Sequence, residues 1–247
     1  MKVLIDADRI PYALGNATNE EGTDFLKWPL VKGRVDSMIQ KILDECGTED
    51  HTLYLTDSES NFRLQYAKIL PYKGNRPTDK PHHFTKIRNY LLNFKDAFLC
   101  KGHEADDELG IRQTDKTIIS SVDKDLDNIP GEHHNPISGK LYTVTETEGL
   151  QNFYKQMLTG DQVDNILGLY GIGKKSTHLK NIEKLTDELD MYKYVKVLYM
   201  KYFGSFWYVY MVENGILLWI LREEMEDKPY IVERFKELEE QCSIHSS

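Results

Sequence analysis

Four short apolar runs rich in β-forming residues stand out along the chain: VLI at 3–5, TLYL at 52–55, AFLC at 97–100 and TIIS at 117–120. Between them the period changes. From 35 to 46, Val35, Met38, Ile39, Ile42, Leu43 and Cys46 keep the i, i+3, i+4, i+7 stripe of an amphipathic helix. Strands alternating with helices predict an α/β fold whose central sheet is mostly parallel and flanked by helices. After residue 145 no further strand signal occurs, and helices are expected at 144–158, 187–201 and about 205–240, with a glycine-punctuated turn at 168–173. The segment SFWYVYMVENGILLWIL (205–221) reads as a buried helix pair or one long core helix, with its aromatic run FWYVY (206–210) in the core. PYKGNRPTDKPHH (71–83), with three prolines and a glycine, reads as a loop or mobile segment. The expected division is an α/β core at 1–145 and a helical region at 146–247.

Each strand run is followed by acid. Asp6 follows VLI, Asp57 follows TLYLT, Glu104, Asp106 and Asp107 follow AFLCKGH, and Asp123 and Asp125 follow TIISSV. In an open parallel sheet the carboxyl ends of the strands line one crevice, so acids scattered over the chain are brought to one edge. A single acid after a strand is often an ordinary helix N-cap; all four together fit that reading poorly. In KGHEADDELG (101–110) like charges three and four apart repel. The repulsion is offset if this helix start, which itself favours negative charge, is one wall of a cation site. Hard oxygen ligands of this kind suit Mg²⁺ or Mn²⁺, and two such ions roughly 4 Å apart activate water and stabilise the leaving oxygen of a phosphodiester.

A second acidic pair, Asp161 and Asp164, lies in TGDQVDNILGLYGIGKK (159–175). Gly168, Gly171 and Gly173 then give a turn whose amides can approach phosphates, followed by Lys174 and Lys175. An ordinary helix hairpin with a glycine C-cap is the competing reading.

At 247 residues, 40% hydrophobic and 29% charged, the composition is that of a soluble globular chain able to bury one good core with a modest appendage. No stretch of 18 apolar residues occurs; the nearest, 205–221, is interrupted by Glu213, Asn214 and Gly215, so no membrane partner is expected. The N-terminus carries charge at positions 6, 8 and 9, where a signal peptide needs a longer apolar stretch. A cytoplasmic location is expected, with Cys46, Cys100 and Cys242 as reduced thiols. The net charge of −9 argues against a nucleic-acid partner unless the acids are gathered in one cation-filled site.

The motifs LIDAD at the N-terminus, YKGNR at 72–76, EADD at 104–107, SVDKD at 121–125 and GDQVDNILGLYGIGKK at 160–175 together resemble the 5′-nuclease superfamily. This group includes the 5′→3′ exonuclease domain of bacterial DNA polymerase I, flap endonucleases and small bacteriophage exonucleases, and in size the chain is similar to the phage enzymes. The resemblance implies a PIN-like 5′-nuclease core, a helical arch at about 71–96 and a helix-three-turn-helix at about 160–182. It implies Asp6, Asp57, Glu104, Asp106 and Asp107 as metal ligands, Asp107 also as a catalytic residue, and Asp123, Asp125, Asp161 and Asp164 as a second metal-binding group. Lys73 and Arg76 match the basic pair at the base of the arch that acts on the scissile phosphate. Gly171, Gly173, Lys174 and Lys175 at the glycine turn are the implied DNA contacts, K⁺ often accompanies that turn, and Tyr72 and Lys80 are further candidate DNA contacts read from the residues themselves. Leu167 and Tyr170 stand where the family has prolines, which bears on the rigidity of that turn. Asp8 has no secure counterpart and is kept as an outer residue of the site.

The implied activity is Mg²⁺-dependent 5′→3′ exonuclease or 5′-flap endonuclease cleavage of DNA, in phage DNA replication or repair. A monomer is expected, in the host cytoplasm if the source is a phage, with RNA in RNA–DNA hybrids as a further substrate class. The nine matched carboxylates equal the whole net charge of −9, leaving Lys73, Arg76, Lys80, Lys86 and Arg88, and Lys174, Lys175 and Lys180, as basic stripes. The rivals are a PIN-like small ribonuclease and a non-catalytic binder of DNA structures.

Weaker signals remain. DKDLDN (123–128) imitates a calcium loop, but Asn128 replaces the needed glycine and His134 the final glutamate, so an EF-hand is rejected. Cys100, His103, His133 and His134 could in principle bind zinc, but a two-residue Cys/His spacing with no second cysteine is poor evidence, and loop histidines near the sheet edge are the better reading. Tyr72 either stacks on a base or packs beneath the arch.

Overall fold

The computed structural model describes residues 1–57, 60–224 and 229–244. The described elements run, in chain order, β1 (Lys2–Asp6), α1 (Arg9–Leu14), α2 (Trp28–Cys46), β2 (His51–Thr56), α3 (Arg63–Tyr66), α4 (Phe84–Phe94), β3 (Phe98–Cys100), α5 (Ala105–Arg112), β4 (Thr117–Ser120), β5 (Gly131–Asn135), β6 (Lys140–Val144), α6 (Glu146–Thr159), β7 (Gly160–Asp161), β8 (Ile166–Leu167), α7 (Thr177–Ile182), α8 (Glu188–Phe203), α9 (Trp207–Leu218) and α10 (Tyr230–Ile244). None of these helices is long and apolar enough to cross a membrane. Two compact units result. One holds Met1–Asn61, Pro77–Asp123 and Gly131–Thr143; the other holds Phe62–Arg76, Lys124–Pro130 and Val144–Ser247.

The first unit is built on a sheet of order β3-β2-β1-β4-β5-β6, six-stranded among the described residues. The pairs β3–β2, β2–β1, β1–β4 and β4–β5 are all parallel, with Ile5 in register with Leu53 on one side and Ser120 on the other. Val3 and Ile5 of β1 and Leu53 and Leu55 of β2 pack with Val35, Ile39, Ile42 and Leu43 of α2 and with Ile87 and Leu91 of α4. The helix expected at 35–46 begins earlier, at Trp28. Pro29 sits in its first turn, where a missing N–H costs nothing, and Gly47 ends it in the left-handed region at φ 67°.

Sequence patterning missed β5 and β6. GEHHN carries no β-branched residue, yet His133 and His134 are buried strand residues, correcting the reading of both as loop histidines. Their polarity is absorbed locally: the His134 ring is hydrogen-bonded to Ser120 Oγ (3.0 Å) and to Glu45 Oε2 (3.1 Å).

The second unit is helical. Phe153, Tyr154 and Met157 of α6, Tyr192 and Tyr199 of α8 and Phe235 of α10 are fully buried. Each buried tyrosine hydroxyl donates to an internal acceptor: Tyr154 to Glu188 (3.2 Å), Tyr192 to Glu239 (2.7 Å) and Tyr199 to the Met157 carbonyl (2.6 Å). A Thr145/Glu148 capping box starts α6. The short antiparallel pair β7–β8 follows it, a strand signal absent from the sequence pattern.

Two readings of 205–221 are corrected. A single helix, α9, ends at Leu218, Trp219 after it is extended, and 219–221 carry no regular structure; residues 225–228 of the helix expected to 240 lie outside the described residues. The aromatic run is not core: Phe206 and Val209 are 67% and 60% exposed, and burial begins at Met211. Phe203 and Tyr210 instead stack on each other, centroids 4.0 Å apart, which satisfies apolar surface without enclosure. DKDLDN forms a 3₁₀ turn over Lys124–Asn128, not a calcium loop.

Candidate metal centre and phosphate-binding turn

In the first unit the parallel sheet delivers the strand-end acids to one edge. β1 stands between β2 and β4, the point where strand order reverses and where ligand crevices form in open α/β sheets. Asp6 closes β1, and Ser121 and Asp123 follow β4. Ser121 ties the two acids: its hydroxyl donates to Asp6 Oδ2 (2.8 Å) and accepts the Asp123 N–H (3.0 Å). The Asp8 N–H donates to the other Asp6 oxygen at 3.2 Å. Burial, then the neighbouring charges of Asp8 and Asp123, push the Asp6 carboxyl from 3.8 up to about 7 against these hydrogen bonds.

The same edge is completed by β2, β3 and α5. Asp57 follows β2 and donates its N–H to the Cys100 carbonyl at the end of β3 (2.9 Å). Glu104 caps α5 in a capping box in which its own N–H donates to Asp107 Oδ2 (3.0 Å), and Asn61 Nδ2 donates to Glu104 Oε1 (2.9 Å). Glu104 and Asp107 are buried, Asp107 completely; Asp106 is half-buried on the same turn. The Ala105 N–H donates to Thr56 Oγ1 at 2.8 Å, fixing the start of α5 against the end of β2.

Asp8, left open by sequence, is the clamp behind this edge. Both its oxygens accept the Thr56 N–H (3.1 Å each), and Arg88 donates to Asp8 Oδ1 (3.1 Å) and to the Thr56 carbonyl (2.7 Å). Arg88 is therefore committed internally and is not part of an open basic stripe. Lys80 stays at the surface, donating to the Tyr12 hydroxyl (2.7 Å) and standing over the Tyr12 and Phe84 rings.

The residues fit hard divalent ions. Six carboxylates follow the carboxyl ends of four parallel strands, and burial, with the charges of Asp8 and Asp123, raises the half-buried Asp6 carboxyl to about 7, a penalty that a divalent cation relieves.

The second unit carries the remaining predicted residues. Asp125 Oδ1 accepts from Gln156 Nε2 (2.5 Å). Asp161 Oδ1 accepts the N–H groups of Val163 (2.7 Å) and Asp164 (3.3 Å). YKGNR is laced onto this loop. The Tyr72 hydroxyl donates to Asp164 Oδ2 (3.0 Å), Lys73 Nζ lies 3.7 Å from the same oxygen, and Arg76 pairs with Oδ1. Asn75 donates to the Gln162 carbonyl (2.6 Å) and Asn165 to the Pro71 carbonyl (2.9 Å). Lys73 holds φ 57°, a strained backbone for a side-chain-bearing residue. Tyr72 is buried, so packing is the observed alternative and its ring has no open face for a base.

The glycine turn is dictated by close approach. A Cβ on Gly160 would lie 2.3 Å from the Gly168 nitrogen, and one on Gly168 2.2 Å from the Thr159 carbonyl carbon. Gly171, at φ 79°, and Gly173 have open space around them, Lys174 and Lys175 are exposed, and Ser176 caps α7 by accepting the His178 N–H (3.3 Å). An open depression of about 850 Å³ is lined here by Asn75, Asp161, Gln162, Asn165, Gly171 and Gly173 among others. Sequence reasoning missed Ser121, Asn61, Asn75, Asn165 and Gln156, whose neutral side chains carry no distinctive signal.

No family model matches the chain, and no curated protein matches it. Solved structures do. A T5 5′-exonuclease with divalent metal ions (zinc) bound aligns with TM-score 0.63 and 19% identity over 88% of each chain. A T5 D15 protein co-crystallised with metal ions aligns with TM-score 0.61 and 19% identity over 87% of this chain and 88% of that one. A bacteriophage T5 D15 flap endonuclease in a pseudo-enzyme–product complex with DNA and metal ions aligns with TM-score 0.60 and 18% identity over 87% and 88%. A sheet of this order with acids at its carboxyl edge, matched over nearly the whole chain at this identity, establishes a common architecture: the chain has the fold of the bacteriophage T5 5′-exonuclease.

Proposed function

We propose that the chain is an Mg²⁺- or Mn²⁺-dependent 5′ nuclease that hydrolyses DNA phosphodiester bonds near a 5′ end, leaving 5′-phosphate and 3′-hydroxyl products, in phage DNA replication or repair. One observation supports the reading: Ser121 bridges Asp6, at the end of β1, and Asp123, after β4, at the switch point of a parallel sheet whose other two acid-bearing strands, β2 and β3, also run into acids at their carboxyl ends. Asp6, Asp57, Glu104, Asp106, Asp107 and Asp123 are the proposed ligands in the first unit; Asp125, Asp161 and Asp164 are the proposed ligands in the second. Bound divalent ions supply Lewis acidity and a water activated near neutral pH. The chain's own groups do the rest. Lys73 and Arg76, now paired with Asp164, transfer their donors to the substrate phosphate and steady the charge that develops there. Asn61 and the α5 capping box keep Glu104 and Asp107 oriented before substrate arrives. Gly171, Gly173, Lys174 and Lys175 contact the phosphate backbone without reading bases, so recognition depends on structure and salt. The DNA and metal complex of a protein with the same fold supports the substrate class.

The deciding experiment is a product ladder from 5′-labelled, 3′-labelled and 5′-flap DNA, with single-stranded RNA alongside, in Mg²⁺ and in EDTA. Cleavage of DNA near the 5′ end that EDTA abolishes is expected. No Mg²⁺-dependent turnover, or preferential cutting of the RNA, defeats the proposal.

A further inference from the structure

A second group of ligating side chains lies in the first unit, and its donor chemistry differs from that of the carboxylate edge. Cys100 ends β3 and is fully buried; Glu108, on the first turns of α5, is 3% exposed. Between them Gly102, at φ 82°, reverses the chain and returns the half-buried His103 towards α5. The Cys100 sulfur, a His103 ring nitrogen and a Glu108 oxygen all lie within 4.8 Å of one another.

We propose that Cys100, His103 and Glu108 bind one zinc-class divalent ion, with a fourth position left to water. The proposal stands independently of the nuclease reading. A tetrahedral ion with bonds of about 2.3 Å to sulfur and about 2.0–2.1 Å to nitrogen and oxygen sets ligand atoms roughly 3.3–3.7 Å apart, so side-chain adjustments of about 1 Å close the site. His103 Nε2 and Glu108 Oε2 already meet at 2.7 Å in a hydrogen bond that the ion would replace. Arg112 Nε donates to Glu108 Oε1 at 2.8 Å, leaving Oε2 turned to the histidine, the outer-shell orientation that ligating carboxylates require. One thiolate, one imidazole and one carboxylate select zinc over magnesium, which prefers oxygen alone. Burial raises the Cys100 thiol well above its ordinary range, so binding expels the thiol proton and strengthens as pH rises.

The test uses the full chain stripped with EDTA, returned to excess Mg²⁺ to fill hard-oxygen sites, and titrated with Co²⁺ as a spectroscopic substitute for Zn²⁺. Expected is a thiolate-to-cobalt charge-transfer band that saturates at one equivalent, is displaced by Zn²⁺, and survives replacement of both Cys46 and Cys242 by serine. Cys100→Ala and His103→Ala should each remove the one-equivalent band; the second variant changes a half-exposed loop residue and guards against a folding defect in the first. Arg112→Met, which leaves all three ligands, should weaken binding about 10–100-fold. No band in the wild-type chain, or a band persisting in Cys100→Ala, means that Arg112, Glu108 and His103 form an ion-pair chain beside a buried thiol and overturns the proposal.

Discussion

Replacing Asp6 by Asn separates what the acidic edge does for function from what it does to stability. In the unfolded chain Asp6 ionises near 3.8; in the fold, without a cation, burial and the charges of Asp8 and Asp123 raise this to about 7. Folding therefore favours the protonated form, and as pH rises through that window the folded state must accept a charge it disfavours. Ionising Asp6 in place costs on the order of 4 kcal/mol at 1.36 kcal/mol per pH unit, a ceiling because the carboxylate is only half-buried. Asn carries no charge at any pH, but its single acceptor can serve only one of the two donors, Ser121 Oγ–H and Asp8 N–H, a pH-independent loss of about 1 kcal/mol. Urea unfolding in EDTA should find the two proteins close at pH 5 and Asp6→Asn more stable by about 1–3 kcal/mol at pH 8. Added Mg²⁺ should erase the difference by stabilising only the wild type, and the variant should not cleave DNA. A stability difference that stays constant between pH 5 and 8, or an Asn variant that is the weaker protein at pH 8 without metal, refutes the electrostatic reasoning.

Asp107→Asn keeps an acceptor for the Glu104 N–H and should fold; together with Asp123→Ala it should lose Mg²⁺-dependent cleavage while gel-shift binding of flap DNA persists. Retained turnover in both variants would remove the carboxylate edge from the mechanism. Gly168→Ala drives a Cβ to 2.2 Å from the Thr159 carbonyl group, and calorimetry should register a loss of at least about 2 kcal/mol. Gly173→Ala, with open space around it, should lose less than about 1 kcal/mol. Lys174→Ala and Lys175→Ala should each lower the slope of log affinity against log salt for duplex DNA by about 1, with equal effects on unrelated sequences; an unchanged slope places the phosphate contacts elsewhere.

The parallel core was legible because its strands are buried on both faces and read as unbroken apolar runs, as VLI, TLYL and TIIS do. GEHHN was illegible for the opposite reason: His133 and His134 are buried, but His134 satisfies its polar atoms through Ser120 and Glu45, partners invisible along the chain. FWYVY misled because composition records how apolar a helix is, not which turn is enclosed; Phe206 and Val209 precede the enclosed stretch of α9. In the acidic edge, the acids are signalled by their repetition after strands. Asp8 could be kept only as an outer residue without partners, because it acts through Arg88, 80 residues away, and a backbone N–H, neither of which a local pattern records. Tyr72 was undecidable until its hydroxyl was found on Asp164.

Four of the nine acids proposed to bind metal also hold the backbone. Glu104 and Asp107 cap α5, Asp6 anchors Ser121, and Asp161 turns the loop that carries Asp164. These hydrogen bonds stabilise each of these carboxylates where it stands before any cation arrives, while burial and the charges of Asp8 and Asp123 push the Asp6 carboxyl up to about 7. Asp164 likewise pairs with both Lys73 and Arg76 in the same unit and holds them in place until a phosphate offers more oxygens than one carboxylate can. Breaking that arrangement with Asp164→Asn should therefore act on both sides at once. It removes the Asp164 charge from beside Lys73 and Arg76, so affinity for DNA in EDTA should rise, while turnover in Mg²⁺ should fall because a proposed ligand is lost. If affinity and turnover move together, Asp164 serves only one of these roles.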